Sequence, residues 1–154
     1  MQGQIQIMEY AGFWVRAWAS IIDVILISFI TFPLLMLIYG SAYFDGGEDL
    51  VAGSADILIS WVLPAIIVVI FWVKKQATPG KMALSVKIVD ATTGQPASNA
   101  QLVGRYLAYF VSMTPLFLGV FWIAFDKRKQ GWHDKLAGTV VIKNLILSQT
   151  DTSE

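Results

Sequence analysis

Residues 106–125 read Tyr-Leu-Ala-Tyr-Phe-Val-Ser-Met-Thr-Pro-Leu-Phe-Leu-Gly-Val-Phe-Trp-Ile-Ala-Phe, twenty consecutive positions without a formal charge, with Thr114-Pro115 and Gly119 set into the middle. About 20 residues of helix, rising 1.5 Å each, cross a bilayer core of about 30 Å. The stretch is long enough to span, but Pro115 has no N–H to give to a helix and disfavours helical backbone at Thr114. Two readings follow. One is a kinked full span; the other is a pair of half-helices, about 99–113 and 116–125, forming a re-entrant hairpin that returns the chain to the side it came from. Non-helical backbone at that depth is tolerated only where protein or water satisfies it.

Two further apolar runs flank this reading. Residues 57–73 carry no charge, and residues 17–39 are interrupted only by Asp23. Across all 154 residues 56% are hydrophobic and 14% charged, against about 45–50% and about 25% in an average soluble domain, so a soluble globule is excluded. Eleven basic side chains balance eleven acidic ones, and no bulk field points to nucleic acid. The absence of cysteine removes disulfides, thiolate zinc sites and iron–sulfur clusters, and no cofactor is expected. Residues 1–15 contain Glu9 and no Lys or Arg, which is not the charged start of a signal peptide, so the first run is read as a retained span. The fold class expected is an all-α membrane protein with apolar segments at about 14–39, 57–73 and 100–125. They form one transmembrane domain over 1–144, followed by a polar tail at 145–154. Pro33 should kink or end the first helix near its position.

Charge then assigns sides. Residues 40–56 hold Asp45, Glu48, Asp49 and Asp56 and no base, whereas Lys74, Lys75, Lys81 and Lys87 in segment 74–100 face Asp90 alone. The positive-inside rule places 40–56 outside and 74–100 in the cytoplasm. The Asp45-Gly-Gly-Glu-Asp49 run lacks the alternating oxygen ligands of a calcium loop. Leu84, Val86 and Ile88 alternate with Ser85 and Lys87, a strand pattern, and 139–143 offers a second strand. Pairing the two as a small cytoplasmic element requires both on one side. Lys127, Arg128, Lys129, Lys135 and Lys143 against Asp126 and Asp134 also favour the cytoplasm, which conflicts with three full crossings and fits the hairpin.

The chemistry-bearing spacing lies in the first span. Arg16 and Asp23 are seven apart, two helical turns, so they share a face about 10 Å from each other with Ser20 between them and Thr31 beyond. A carboxylate near a helix centre costs about 2.5–3.5 kcal/mol on insertion scales and should face protein or water. Asp23 then either binds a cation or proton with Arg16 tuning it, or pairs with Arg16 or Arg105 and fixes packing. Arg105-Tyr-Leu-Ala108 with Ser112 echoes Arg16-Ala-Trp-Ala19 with Asp23, a hint of a duplicated helix. Gly104, Ala108 and Ser112 form a small-residue ladder suited to close helix packing. The Phe-Trp pairs at 13–14, 71–72 and 121–122 read as interfacial anchors. His133 beside Asp134 reads as a helix-end or turn pair, and no motif supports enzymatic chemistry.

Gly12-Phe-Trp-Val-Arg16 leading to Ile22-Asp23, then Thr78-Pro-Gly-Lys81 with the strand 85–90, then Phe125-Asp-Lys-Arg128 and His133-Asp-Lys-Leu-Ala-Gly-Thr139, together resemble the RDD family of small bacterial membrane proteins over about residues 9–144. The resemblance implies that Arg16 and Asp23 are the named arginine and first named aspartate, with Asp126 or Asp134 as the second. Ser20, Arg105 and His133 are supporting candidates. It also implies transport, in some relatives linked to sodium or proton antiport, in a bacterial cytoplasmic (inner) membrane. Three segments enclose no polar path alone, so a transporter of this size requires a homo-oligomer in the lipid bilayer. The alternative is a non-catalytic scaffold whose basic cytoplasmic segments bind a partner protein or anionic lipid.

Overall fold

A computed structural model describes residues 6–45 and 52–146. Two long helices dominate it. Helix α1, Phe13–Tyr39, has 27 residues, about 40 Å at 1.5 Å per residue. Helix α2, Ser54–Lys75, has 22 residues and contains a π-helical turn at Leu58–Val62. Only Arg16, Ala19 and Leu35 of α1 are buried, while Phe29 is 75% and Leu37 83% exposed. Apolar surface on that scale has no protein to cover it, and the bilayer is the medium that takes it up. The chain is a membrane protein.

Helix α1 runs through Pro33 without ending, so of the two expectations, a kink or an end, the end is removed. Proline deletes one donor of the helical ladder, and the bonds on either side hold the remaining turns together, as is common within membrane spans. Its C-terminus is held at the far end of the pair. Asp56, buried at the start of α2, accepts hydrogen bonds from Tyr43 Oη at 2.7 Å, Ser60 Oγ at 2.6 Å and the Ala52 N–H at 3.0 Å. The acidic run Asp45–Asp49, with its rejected calcium reading, falls beyond Asp45 into residues 46–51, which lie outside the described residues, as does most of the tail, 147–154.

Beyond α2 the chain makes the five-residue helix α3, Pro79–Ala83, and strand β2, Val86–Asp90. Helix α4, Asn99–Met113, follows, opened by a capping box between Ser98 and Gln101. The third apolar segment is indeed broken: α4 and the short helical stretch α5, Leu118–Ala124, meet at 112°. Leu116 and Phe117 both take left-handed backbone, φ 52° and 62°, and the turn closes tightly. A Cβ on Gly119 would lie 2.7 Å from Ser112 Cα, so only glycine lets the two arms meet. Helix α6, Trp132–Ala137, leads into strand β3, Thr139–Ile146.

The sheet has three strands, not two. Strand β1, Gln6–Tyr10, precedes α1, and the order is β1-β3-β2 with both pairings antiparallel. The expected pairing of β2 with β3 is present, Val86 opposite Lys143 and Asp90 opposite Thr139. The missed strand carries a period-two signal, since residues 4–7 read Gln-Ile-Gln-Ile. All three strands therefore sit together beside the start of α1 and the end of α2. A core of Ala11, Trp72, Val86, Ile88, Leu102 and Val141 joins this sheet to α2 and α4.

Candidate functional site: a buried charge cluster and its cavity

Asp134 is the centre of the site. It occupies the third position of α6, where its Oδ2 accepts the Gly131 N–H at 3.0 Å and caps the helix. That much is the helix-end role read from the sequence. Its surroundings were not legible there: Asp134 is fully buried and clamped between two guanidinium groups, Arg16 Nη2 at 2.7 Å on Oδ2 and Arg105 Nη1 on Oδ1. Arg105, itself fully buried, also donates to Thr139 Oγ1 at 2.9 Å and lies over the rings of Trp72 and Tyr109. Arg16 donates to the Lys129 carbonyl at 2.8 Å. The echo between Arg16 and Arg105 thus has a structural counterpart, two arginines on two helices gripping one carboxylate.

His133 completes the cluster. Arg16 Nη2 donates to its Nε2 at 3.1 Å, so that nitrogen is the acceptor and Nδ1 carries the proton, facing Ser112 Oγ at 3.2 Å. Tyr109 stacks on the ring at 3.9 Å between centroids. Burial pushes the imidazole pKa down to about 2; Asp134 opposes that shift, while Arg105 and Arg16 reinforce it. Burial by itself would raise the Asp134 carboxyl, but the two guanidinium groups outweigh it and hold the group well below the usual carboxylate range. The histidine is neutral throughout the physiological range and serves as a fixed acceptor.

A pH dependence follows. Below pH 6.5 the unfolded chain protonates His133 and the folded chain does not, so stability is lost at about 1.4 kcal/mol per pH unit as pH falls. The thermal midpoint of detergent-solubilised protein should therefore correspond to about 2 kcal/mol less stability at pH 5 than at pH 7.5. His133→Gln should flatten that slope, and a wild-type profile already flat over this range would overturn the assignment.

Asp23 is elsewhere, which corrects the expectation that Arg16 is its partner. Its Oδ2 accepts from Thr78 Oγ1 and its Oδ1 from the Gly80 N–H at 2.7 Å. Two helical turns separate Arg16 from Asp23, beyond contact, and Arg16 instead finds Asp134 within reach. Nor does Arg105 pair with Asp23. The approach of α3 to α1 is so close that a Cβ on Gly80 would fall 2.1 Å from the Ala19 carbonyl oxygen. Ser20 only donates back to the Arg16 carbonyl at 3.0 Å. Asp126 stands apart from the cluster, pairing with Lys135 at 2.6 Å and accepting the backbone N–H groups of Arg128 and Gln130.

Two other readings change. Trp72, expected as an interfacial anchor, is 2% exposed and packs into the sheet-side core, whereas Trp14 at 74% and Trp122 at 45% remain at the surface. In the small-residue ladder Ala108 and Ser112 are buried, but a Cβ on Gly104 would meet open space. Sequence reasoning also missed Lys81. It is 5% exposed, and burial pushes its ammonium pKa down. It lines, with Arg16, Ser20, Tyr109 and His133, a cavity of about 240 Å³ between α1 and the α4–α5 hairpin.

Apart from Thr139, the residues that build this geometry lie within a match to the family model described as the RDD family, which covers residues 10–138. The chain belongs to the RDD family. Among curated proteins it is similar to the uncharacterized protein RP437 of Rickettsia prowazekii, 46% identical over 74 residues. That match takes in 48% of this chain and 40% of the Rickettsia protein, so this chain spans well under half of that relative. It is also similar to the uncharacterized protein YxaI of Bacillus subtilis, 31% identical over 86% of this chain and 96% of the relative. A third relative is the uncharacterized membrane protein YteJ of Bacillus subtilis, 25% identical over 86% of this chain and 80% of that protein. No solved structure matches the chain. Within the RDD chain described here, Asp134 is the aspartate that meets Arg16, and Asp126 is not.

Proposed function

We propose that this RDD protein is a non-enzymatic, transporter-like membrane protein that exchanges a small cation such as sodium for protons, with Asp23 as the exchanging carboxylate. The observation that carries this reading is the contrast between two helix-borne aspartates, Asp134 and Asp23. Asp134 is neutralised by two guanidinium groups and is too firmly held to exchange anything. Asp23 is half-buried and hydrogen-bonded, yet among the described residues no cation lies within salt-bridge distance of it. A carboxylate satisfied by a hydroxyl and an amide can give up those donors to a proton or cation, and doing so releases α3 from α1. Ion exchange and movement of the connecting segment are thereby linked. In this reading the protein is a homo-oligomer in the bacterial cytoplasmic membrane, with 40–56 outside and 74–100 inside.

The test is flux in proteoliposomes under an imposed proton gradient, followed with a pH-sensitive dye and sodium. Asp23→Asn keeps size and hydrogen bonding but not ionisation, and should cut flux at least tenfold while the protein still inserts and assembles. Wild-type flux in that variant would remove Asp23 from the mechanism, and absence of any ion-coupled proton movement in the wild type would remove antiport. A scaffold reading is favoured by one observation, the exposed Lys74, Lys75 and Lys127 near the sheet, each able to gain about 1 kcal/mol from anionic headgroups.

A further inference from the structure

The cavity between α1 and the hairpin has a charge imbalance that the clamp on Asp134 does not resolve. Arg16 and Arg105 share one carboxylate. Lys81, 5% exposed, lines the same cavity; Asp23 and Tyr109 attract its ammonium from beyond contact, but among the described residues no hydrogen-bond or salt-bridge partner touches it, so Arg16, Arg105 and Lys81 outnumber Asp134 and Asp23 by one charge. A buried ammonium without a partner is costly, and proteins retain such groups chiefly where something else supplies the counter-charge. The polar lining offers two cationic side chains and two hydroxyl-bearing ones, Ser20 and Tyr109. The opposite wall is apolar, contributed by the hairpin through Met113, Phe117 and Val120. Arg16 is in the first turn of α1, beside the sheet, so the cationic side of the cavity lies at the sheet end of that helix.

We propose that this cavity binds a phosphate-type oxyanion between Lys81 and Arg16, the hairpin wall receiving any hydrocarbon attached to it. A small acidic lipid headgroup and free phosphate share this chemistry. The proposal does not rest on cation exchange at Asp23, because the two sites use different residues.

The experiment is native mass spectrometry of the full chain in neutral detergent, titrated in separate arms with dodecyl phosphate, inorganic phosphate and dodecyl phosphocholine. One saturable adduct of dodecyl phosphate is expected, with the zwitterion at least tenfold weaker. Lys81→Gln should weaken the adduct at least tenfold, while Lys81→Arg and the surface variant Lys74→Gln keep it. Lys81→Gln removes an unpartnered buried charge, so its melting temperature without ligand should equal or exceed wild type, which separates lost binding from lost folding. Dodecyl phosphate binding far above inorganic phosphate identifies an amphiphile as the natural source; equal binding identifies a soluble anion. Affinity unchanged in Lys81→Gln, or zwitterion binding equal to dodecyl phosphate, would overturn the site.

Discussion

Asp134→Asn is expected to leave little folded protein in the membrane. The amide preserves shape and can still accept the Gly131 N–H, but it withdraws the one charge shared by Arg16 and Arg105, both buried. Breaking a buried ion pair from one side costs about 3–5 kcal/mol, because the partner is left charged and dry; here two partners are stranded. Total stability of a domain this size is about 5–15 kcal/mol, so the loss is a large part of it. Melting temperature in detergent and steady-state level in the membrane fraction both read this out. A triple change adding Arg16→Gln and Arg105→Leu should recover much of the loss, since it removes the stranded charges as well. A melting temperature for Asp134→Asn within a degree or two of wild type would show that the clamp contributes little.

The second large effect is all-or-none. Single cysteines introduced at Thr93 and Lys127, both exposed, should be protected from an impermeant thiol reagent in intact cells and react after lysis. A cysteine at Ser41 should react in intact cells. The reason is connectivity. Strand β2 follows α2, strand β3 follows the hairpin, and they pair residue by residue. No bilayer can lie between paired strands, so the segment joining them must return to the side it left. Labelling of Lys127→Cys in intact cells with Thr93→Cys protected would mean that α4 and α5 cross as one bent span and that the sheet does not form in the membrane. Labelling of both with Ser41→Cys protected would reverse the orientation while sparing the hairpin.

Much of this architecture was legible because membrane spans and breakers are local signals. The uncharged run at 106–125 with Thr114-Pro115 at its middle announces a break with a helix on either side, as a kinked span or a hairpin, and the alternation around Val86 announces β2. The clamp was not legible, because Asp134 reaches Arg16 across more than a hundred residues and sequence spacing reports only neighbours on one helix. Spacing alone therefore sets Arg16 against Asp23, the only acid on its own helical face. Lys81 and Trp72 escape the sequence for a related reason: a lysine and a tryptophan next to a span usually mark the headgroup layer, and only the sheet folding back over the end of α2 buries Trp72, as only the packing of α3 against α1 and α4 buries Lys81. The motif Thr78-Pro-Gly-Lys81 did carry the information, since a glycine between a hydroxyl and a lysine is what the close approach to Ala19 and Asp23 demands.

The placement of β3 in the middle of the sheet sets an order of events during synthesis. Strands β1 and β2 have no pairing with each other and must each wait for β3, and Asp134, the counter-charge for Arg16 and Arg105, emerges in the same late stretch. While the ribosome is still making the hairpin, α1 and α2 are already in the membrane with two open strand edges and Arg16 unneutralised at the sheet-side end of α1, and Arg105 joins it unneutralised on α4. Non-local pairing of this kind is slow and leaves edges available to other chains. Arrival of residues 131–146 closes the edges and neutralises the arginines in one step, so a nascent chain halted before Gly131 should be open to partners, chaperones or proteases that cannot grip the finished molecule.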